Sequence, residues 1–282
     1  MTVVDAHQHF WSLQRGDYAW LTPQSGAIYR DYLPPEFAAL LARHGVQASV
    51  LVQAAASEAE TRYLFDLARS HAFVAGVVGW VDFSAPDAVP RIAALVVAGA
   101  GKLKGLRPML QDITDPSWVA REELDAAFDA MVEHDLALDA LVRPLHFDAL
   151  HARLRRHPNL RAVIDHAGKP DIATGNDFEI WAEGIARLAA ETTACCKLSG
   201  LLTEAGANTS ADDLEPYVSH VFRSFGAQRV MWGSDWPVLN LAADYARWLG
   251  LARELVERCA PRDRDSVFGK TAVDFYRLQV PV

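Results

Sequence analysis

Several things are scarce or missing in this chain of 282 residues, and each absence removes a class of function. There are three cysteines. Cys195 and Cys196 are adjacent and Cys259 lies far downstream, so neither a disulfide framework nor a zinc-type cysteine spacing exists. No apolar run approaches the roughly 18 residues of a membrane span. The start has neither a basic segment nor an apolar signal core, which gives the expectation of a cytoplasmic protein. Basic residues are outnumbered, 27 Lys and Arg against 36 Asp and Glu, for a formal charge of −9. That balance argues against nucleic acid or an anionic membrane as the main partner. No Gly-rich turn follows the first apolar run, so a dinucleotide cradle is not expected. A Gly-x-Ser-x-Gly nucleophile elbow is absent too, and no cysteine except Cys196 lies near a strand end in a reactive setting, which disfavours covalent catalysis.

What the chain does have is alternation. Short β-rich apolar runs are expected as strands at Val3–His9, Val46–Gln53, Val74–Trp80, Leu103–Arg107, Leu136–Val142, Arg161–His166, Cys195–Ser199 and Val230–Asp235. Between and after them lie segments with apolar residues at helical spacing, such as Ile92, Leu95 and Val96. Gly45, Gly101 and Gly226 act as stop signals. Eight strand–helix units with no Pro/Gly linker fit a single α/β domain over 1–282, a (β/α)8 TIM barrel. A doubly wound open sheet is the alternative. The stretch from Phe10 to Pro34 reads as a long loop after strand 1, rich in Trp11, Tyr18, Trp20, Tyr29 and Tyr32. Loops of that length usually serve as lids or binding loops, here a lid over a site or a contact in a homo-oligomer.

Polar residues at the carboxyl ends of barrel strands converge on one face, where barrel active sites sit. Strand 1 offers His7 and His9, two residues apart and therefore on one face, roughly 6–7 Å along the strand. Strand 2 ends in Gln53, and strand 4 carries Lys104 and Arg107. Strand 6 ends in Asp165 and His166, strand 7 carries Lys197 and Ser199, and strand 8 ends in Ser234, Asp235 and Trp236. Each has a structural explanation alone: Asp235 as a cap, His166 as a satisfied core histidine, the tryptophans as packing. Their recurrence at one end of one barrel favours a site. Three imidazoles and a carboxylate (His7, His9, His166 and Asp235) suit one divalent metal such as zinc. The same set works without metal, with Asp235 deprotonating water while histidines and a guanidinium polarise a carbonyl.

The stretches Asp5 to Trp11, Gly105 to Arg107, Ile164 to Pro170, Lys197 to Leu201, Met231 to Pro237 and Phe268 to Ala272 together resemble the amidohydrolase superfamily. The resemblance is to its sugar-lactone hydrolase branch, of the L-fuconolactonase and L-rhamnonolactonase types. Thr271 departs from the Asn expected in the last motif. The resemblance implies hydrolysis of an L-fuconolactone-like aldonolactone to the open aldonic acid, as in L-fucose degradation. It makes Asp235 the general base, with His7, His9, His166 and Arg107 as catalytic groups. Trp11, Lys104, Gln53 and Trp236 are expected at the sugar. Strand 5 has Arg143 and no histidine, which leaves room for at most one metal. The branch implies that no cofactor is required and that a bound zinc is incidental. The alternative is a zinc-dependent decarboxylase of the amino-carboxymuconate-semialdehyde type.

Overall fold

A computed structural model describes residues 2–206 and 208–280. Eight strands run in chain order: β1 Val4–Gln8, β2 Ala48–Val52, β3 Val74–Gly79, β4 Leu103–Leu106, β5 Ala137–Ala140, β6 Ala162–Ile164, β7 Cys195–Leu198 and β8 Val230–Trp232. Each pairs in parallel with its sequence neighbours. Backbone bonds His9 N to Trp236 O (2.7 Å) and Asp235 N to His7 O (2.8 Å) then join the end of β8 to β1. The result is a (β/α)8 barrel, as the alternation implies. Nearly every strand residue is buried, because parallel strands are covered on both faces.

The helices between strands are α1 Pro34–His44, α2 Glu58–Ser70, α3 Ala88–Gly99, α4 Asp125–Glu133, α5 Phe147–Arg156 and α6 Phe178–Glu191. The short α7 Leu201–Ala205 and the longer α8 Ala211–Phe225 follow β7. After β8 come α9 Tyr245–Cys259 and α10 Thr271–Tyr276. Ser57, Ser210 and Asp244 cap α2, α8 and α9 by accepting a bond from a backbone N–H three residues on. α7 and α10 are too short to show a helical period in sequence. The interior of the barrel is packed with small and β-branched side chains, including Val4, Ala6, Val50, Ala75 and Val163. Ala272, Tyr276 and Leu278 pack against these from the C-terminal segment. A larger apolar layer lies between strands and helices.

The loop after β1 is folded rather than loose. Trp11 and Tyr32 exchange two backbone bonds of 3.0 Å, and Trp11, Tyr18 and Tyr32 are buried. Trp20 stays 44% exposed, its indole N–H bonded to Ala54 O at 2.7 Å. Among the described residues no helix is long and apolar enough to cross a membrane.

Candidate active site

Strict alternation would put Asp5, His7 and His9 on one face, and the structure breaks that pattern. Three steps along β1 pair with two along β2, Asp5 with Ser49 and Gln8 with Leu51. This bulge re-aims the side chains beyond it. Asp5 faces outward, accepting bonds from Tyr245 OH (3.0 Å) and Ser234 N (2.8 Å). Burial pushes its carboxyl up to about 6 despite these bonds. His7 faces the interior, with its Nε2 3.2 Å from His9 Nε2.

His166 arrives by a different device. After β6 the chain turns through four residues in the left-handed region, His166 to Lys169, with φ of 50–73°. Three of these are not glycine, a strained conformation of the kind stored at functional sites. Gly200, also left-handed, presses on the ring. A Cβ there would lie 2.6 Å from His166 Cγ and Nδ1. Ser199 Oγ holds that same Nδ1 at 2.9 Å, so Nε2 points at Asp235. Asp235 itself is left-handed, with φ 59°.

The three imidazoles converge on one oxygen. Asp235 Oδ1 lies 3.3 Å from His9 Nε2, 3.7 Å from His7 Nε2 and 3.9 Å from His166 Nε2. Burial alone would raise the Asp235 carboxyl. His166, His9 and His7 outweigh it and hold the group below the usual carboxylate range, so it stands ionised. Burial lowers both His166 and His7, the latter well below its ordinary value with the help of Lys197.

Beneath His7 lies a buried charge network. Lys197 Nζ is 3.0 Å from His7 Nδ1 and 3.0 Å from Asp165 Oδ1, and it also donates to Asp139. Tyr276 OH donates to Asp139 at 2.7 Å. Asp165 further pairs with Arg107, Nη1 to Oδ2 3.6 Å. Its carboxyl is held well below its ordinary value because Lys197 and His7 outweigh burial. Asp165 and Lys197 stand among the strand-end polar residues of the sequence without an assigned role, and Asp139 has no place there. The signal for Asp139 was a single charge inside an otherwise apolar strand, as with Lys197 in β7.

A cavity of about 320 Å³ opens onto His9, His166, Asp235 and Arg107. Its outer wall includes Trp20, Gln111, Lys169 and Glu204, the last two paired at 2.8 Å. The structure corrects four expectations about the substrate side. Lys104 sits near the amino end of β4, not its carboxyl end. It donates to Arg277 O at 3.3 Å and shares a cleft with Asp135 and Arg161, away from the cavity. Trp11 and Trp236 are 0% and 1% exposed. Their rings pack edge-on against Tyr32 under the loop and do not line the cavity; Trp20 does. Gln53 is buried and acts behind Arg107. Its amide donates to Arg107 O at 2.9 Å, while the guanidinium donates to Gln53 O.

The donor set fits a divalent ion. His7, His9 and Asp235 form one candidate group and His7, Asp165 and His166 another. Two imidazole nitrogens on one tetrahedral zinc lie about 3.3 Å apart, from bonds of about 2.0–2.1 Å. The His7–His9 separation of 3.2 Å matches that.

The amidohydrolase family model matches residues 4–278. The chain belongs to the amidohydrolase family. It is 49% identical to an L-fucono-1,5-lactonase of Burkholderia ambifaria, covering 99% of this chain and 96% of that protein. It is 36% identical to an L-fucono-1,5-lactonase of Burkholderia multivorans, covering 99% and 97%. A crystal structure of a B. multivorans amidohydrolase with bound zinc superposes with a TM-score of 0.89 at 36% identity, covering 99% of this chain and all of that one. The sequence motifs therefore pointed to the right family and fold.

Proposed function

We propose that this chain hydrolyses a sugar-acid lactone of the L-fuconolactone type to the open aldonic acid. Two relatives matched over nearly their whole length, both L-fucono-1,5-lactonases, support the substrate class. The observation that carries the chemistry is a single carboxylate, Asp235, surrounded by three imidazoles and opening onto a cavity shared with Arg107.

In this reading the lactone carbonyl lies between Arg107 and the His9 imidazole, with His7 behind His9. Asp235 takes a proton from a water molecule as its oxygen attacks the carbonyl carbon. The charge that develops on the carbonyl oxygen is met by the N–H donors of Arg107, which lines the cavity, an oxyanion donor being worth about 3–4 kcal/mol. When the ring C–O bond breaks, the proton taken by Asp235 passes through His166 Nε2 to the leaving ring oxygen. General-base assistance adds about 10²–10⁴-fold. Those contributions suffice for a lactone, an activated ester, where an amide would need more. The hydroxyls of the sugar meet Trp20, Gln111, Lys169 and Glu204 on the outer wall. Trp20 replaces the two buried tryptophans as the aromatic contact.

His7, His9, His166 and Asp235 would hold a divalent ion, and that ion would supply a Lewis acid for water or carbonyl. We assign the steps above to side chains alone, so no metal is required. The convergence of the three Nε2 atoms on one carboxylate favours one second reading, a zinc-dependent hydrolase or decarboxylase. A panel of aldonolactones with a pH indicator tests the proposal, because ring opening releases acid. Acid release above the spontaneous rate is expected with L-fuconolactone, and a panel with no response overturns the reading.

A further inference from the structure

Ser57 caps α2, and Glu60 three residues on is wholly buried, yet no step proposed above uses it. At that position a glutamate ordinarily turns its carboxyl back to the N–H of the cap residue, closing a capping box. Only half of that box forms. Ser57 Oγ accepts from Glu60 N at 3.0 Å, but Ser57 N donates to Ala55 O at 2.8 Å. The Glu60 carboxyl goes instead to the end of β2, where the ladder stops with Gln53 N donating to Val78 O. There Ala54 N donates to both of its oxygens, at 3.0 and 3.1 Å, and Ala55 N donates to Oε2 at 2.6 Å.

What those two amides control follows from the planarity of the peptide unit. In a trans peptide the N–H and the C=O of one plane point in opposite directions, so holding the N–H aims the carbonyl. The Ala54 N–H shares its plane with the Gln53 carbonyl, and that oxygen accepts from the Arg107 guanidinium. The Ala55 N–H shares its plane with the Ala54 carbonyl, and that oxygen accepts the Trp20 indole N–H at 2.7 Å. Arg107, Trp20 and Ala54 all line the cavity. One buried carboxyl thus grips two successive peptide planes on one side. Their other side carries the cation and the aromatic of the cavity wall.

We propose that Glu60 is a positioning residue that sets Arg107 and Trp20 against the substrate through the peptide units Gln53–Ala54 and Ala54–Ala55. A residue that only stabilised α2 would need no carboxyl at these amides, since the Ser57 side chain already caps the helix. The two arms bear on different steps. Arg107 meets charge that develops in the transition state, so its misplacement falls on kcat. Trp20 touches the substrate before reaction, so its misplacement falls on KM. The Arg107 arm rests on the lactonase reading above, and the Trp20 arm requires no reaction at all.

Glu60→Met keeps the length of the side chain and removes both oxygens. Glu60→Asp draws the oxygens back from the amides and serves in its place should the methionine variant not fold. Indole nitrogen-15 NMR of the full chain reads the Trp20 arm without substrate, the Trp20 signal being assigned by its loss in Trp20→Phe. In either Glu60 variant that signal is expected to shift toward the position of an unbonded indole. The indoles of Trp181 and Trp248, bonded to Ala167 O and Gly233 O, are expected to stay in place, which a general loosening of the fold would not allow. With L-fuconolactone, kcat is expected to fall on the order of tenfold or more, the range of catalytic misplacement, and KM to rise. Glu60→Gln keeps an oxygen where Oε2 stands and is expected to recover most of both. An unmoved Trp20 signal overturns the proposal, as does unchanged kcat in a folded variant or a glutamine variant no better than the methionine one. A chain that opens no lactone defeats the lactonase reading instead, and the indole shift still decides whether Glu60 holds Trp20.

Discussion

Asp235→Asn is the substitution whose outcome the proposed chemistry fixes most tightly. It exchanges one carboxylate oxygen for an amide nitrogen and changes the volume hardly at all. Among the described residues the ion-pairing neighbours of Asp235 are the three imidazoles, with no lysine or arginine in range, so no buried cation loses its partner. The backbone there has φ 59°, a left-handed conformation that Asn adopts as readily as Asp. The fold should therefore persist, while the group that takes the proton from water disappears. Losing general-base assistance costs about 10²–10⁴-fold, or about 3–5 kcal/mol in the barrier. The loss should fall on kcat with KM little changed, because the interaction is made in the transition state. Initial rates of acid release give kcat and KM, and a circular-dichroism melt checks the fold. A folded variant turning over near the unsubstituted rate would refute Asp235 as the base.

Three further outcomes follow from named contacts. Gly200→Ala drives a Cβ into the His166 ring and forces alanine into a left-handed backbone, so activity should fall at least tenfold, in the range of catalytic misplacement of about 1 Å; unchanged kcat would show that His166 is not held by this turn. Lys104→Ala, away from the cavity, should leave kcat/KM unaltered, and a raised KM would place the lysine at the substrate after all. Asp5 is raised from 3.8 to about 6 by burial, so the folded chain binds its proton more tightly than the unfolded chain does. Its contribution is then fully present below about pH 4 and is lost as pH rises to about 6, a change on the order of 3 kcal/mol. Relative to the unsubstituted chain, Asp5→Asn should gain Tm between pH 4 and 7; parallel Tm curves would contradict the sign.

The barrel was legible because parallel strands buried on both faces read as unbroken apolar runs, and eight of them alternated with helical periods. The groups proposed to react were legible because His7, His9, His166, Arg107 and Asp235 stand at the carboxyl ends of those runs. Lys104 was misplaced because β4 is only four residues long, and an apolar run does not say which of its residues lies at which end of the barrel. Trp11 and Trp236 were misread because composition cannot separate an aromatic that stacks on a ligand from one that fills a core. The His7–His9 alternation gave the right result by an incomplete argument. Asp5 shares their period yet faces outward, since a bulge lies between them. The Asp139–Lys197 pair spans 58 residues of sequence and becomes adjacent only once β5, β6 and β7 lie side by side.

The central claim is that side chains, with Asp235 as base, open a sugar lactone without help from a metal. Its most direct test is the rate of L-fuconolactone opening by chain stripped with a chelator, compared with the same chain reloaded with zinc. Equal rates are expected before and after reloading. A rate that vanishes on stripping and returns with zinc would contradict the claim and make the site a metal centre.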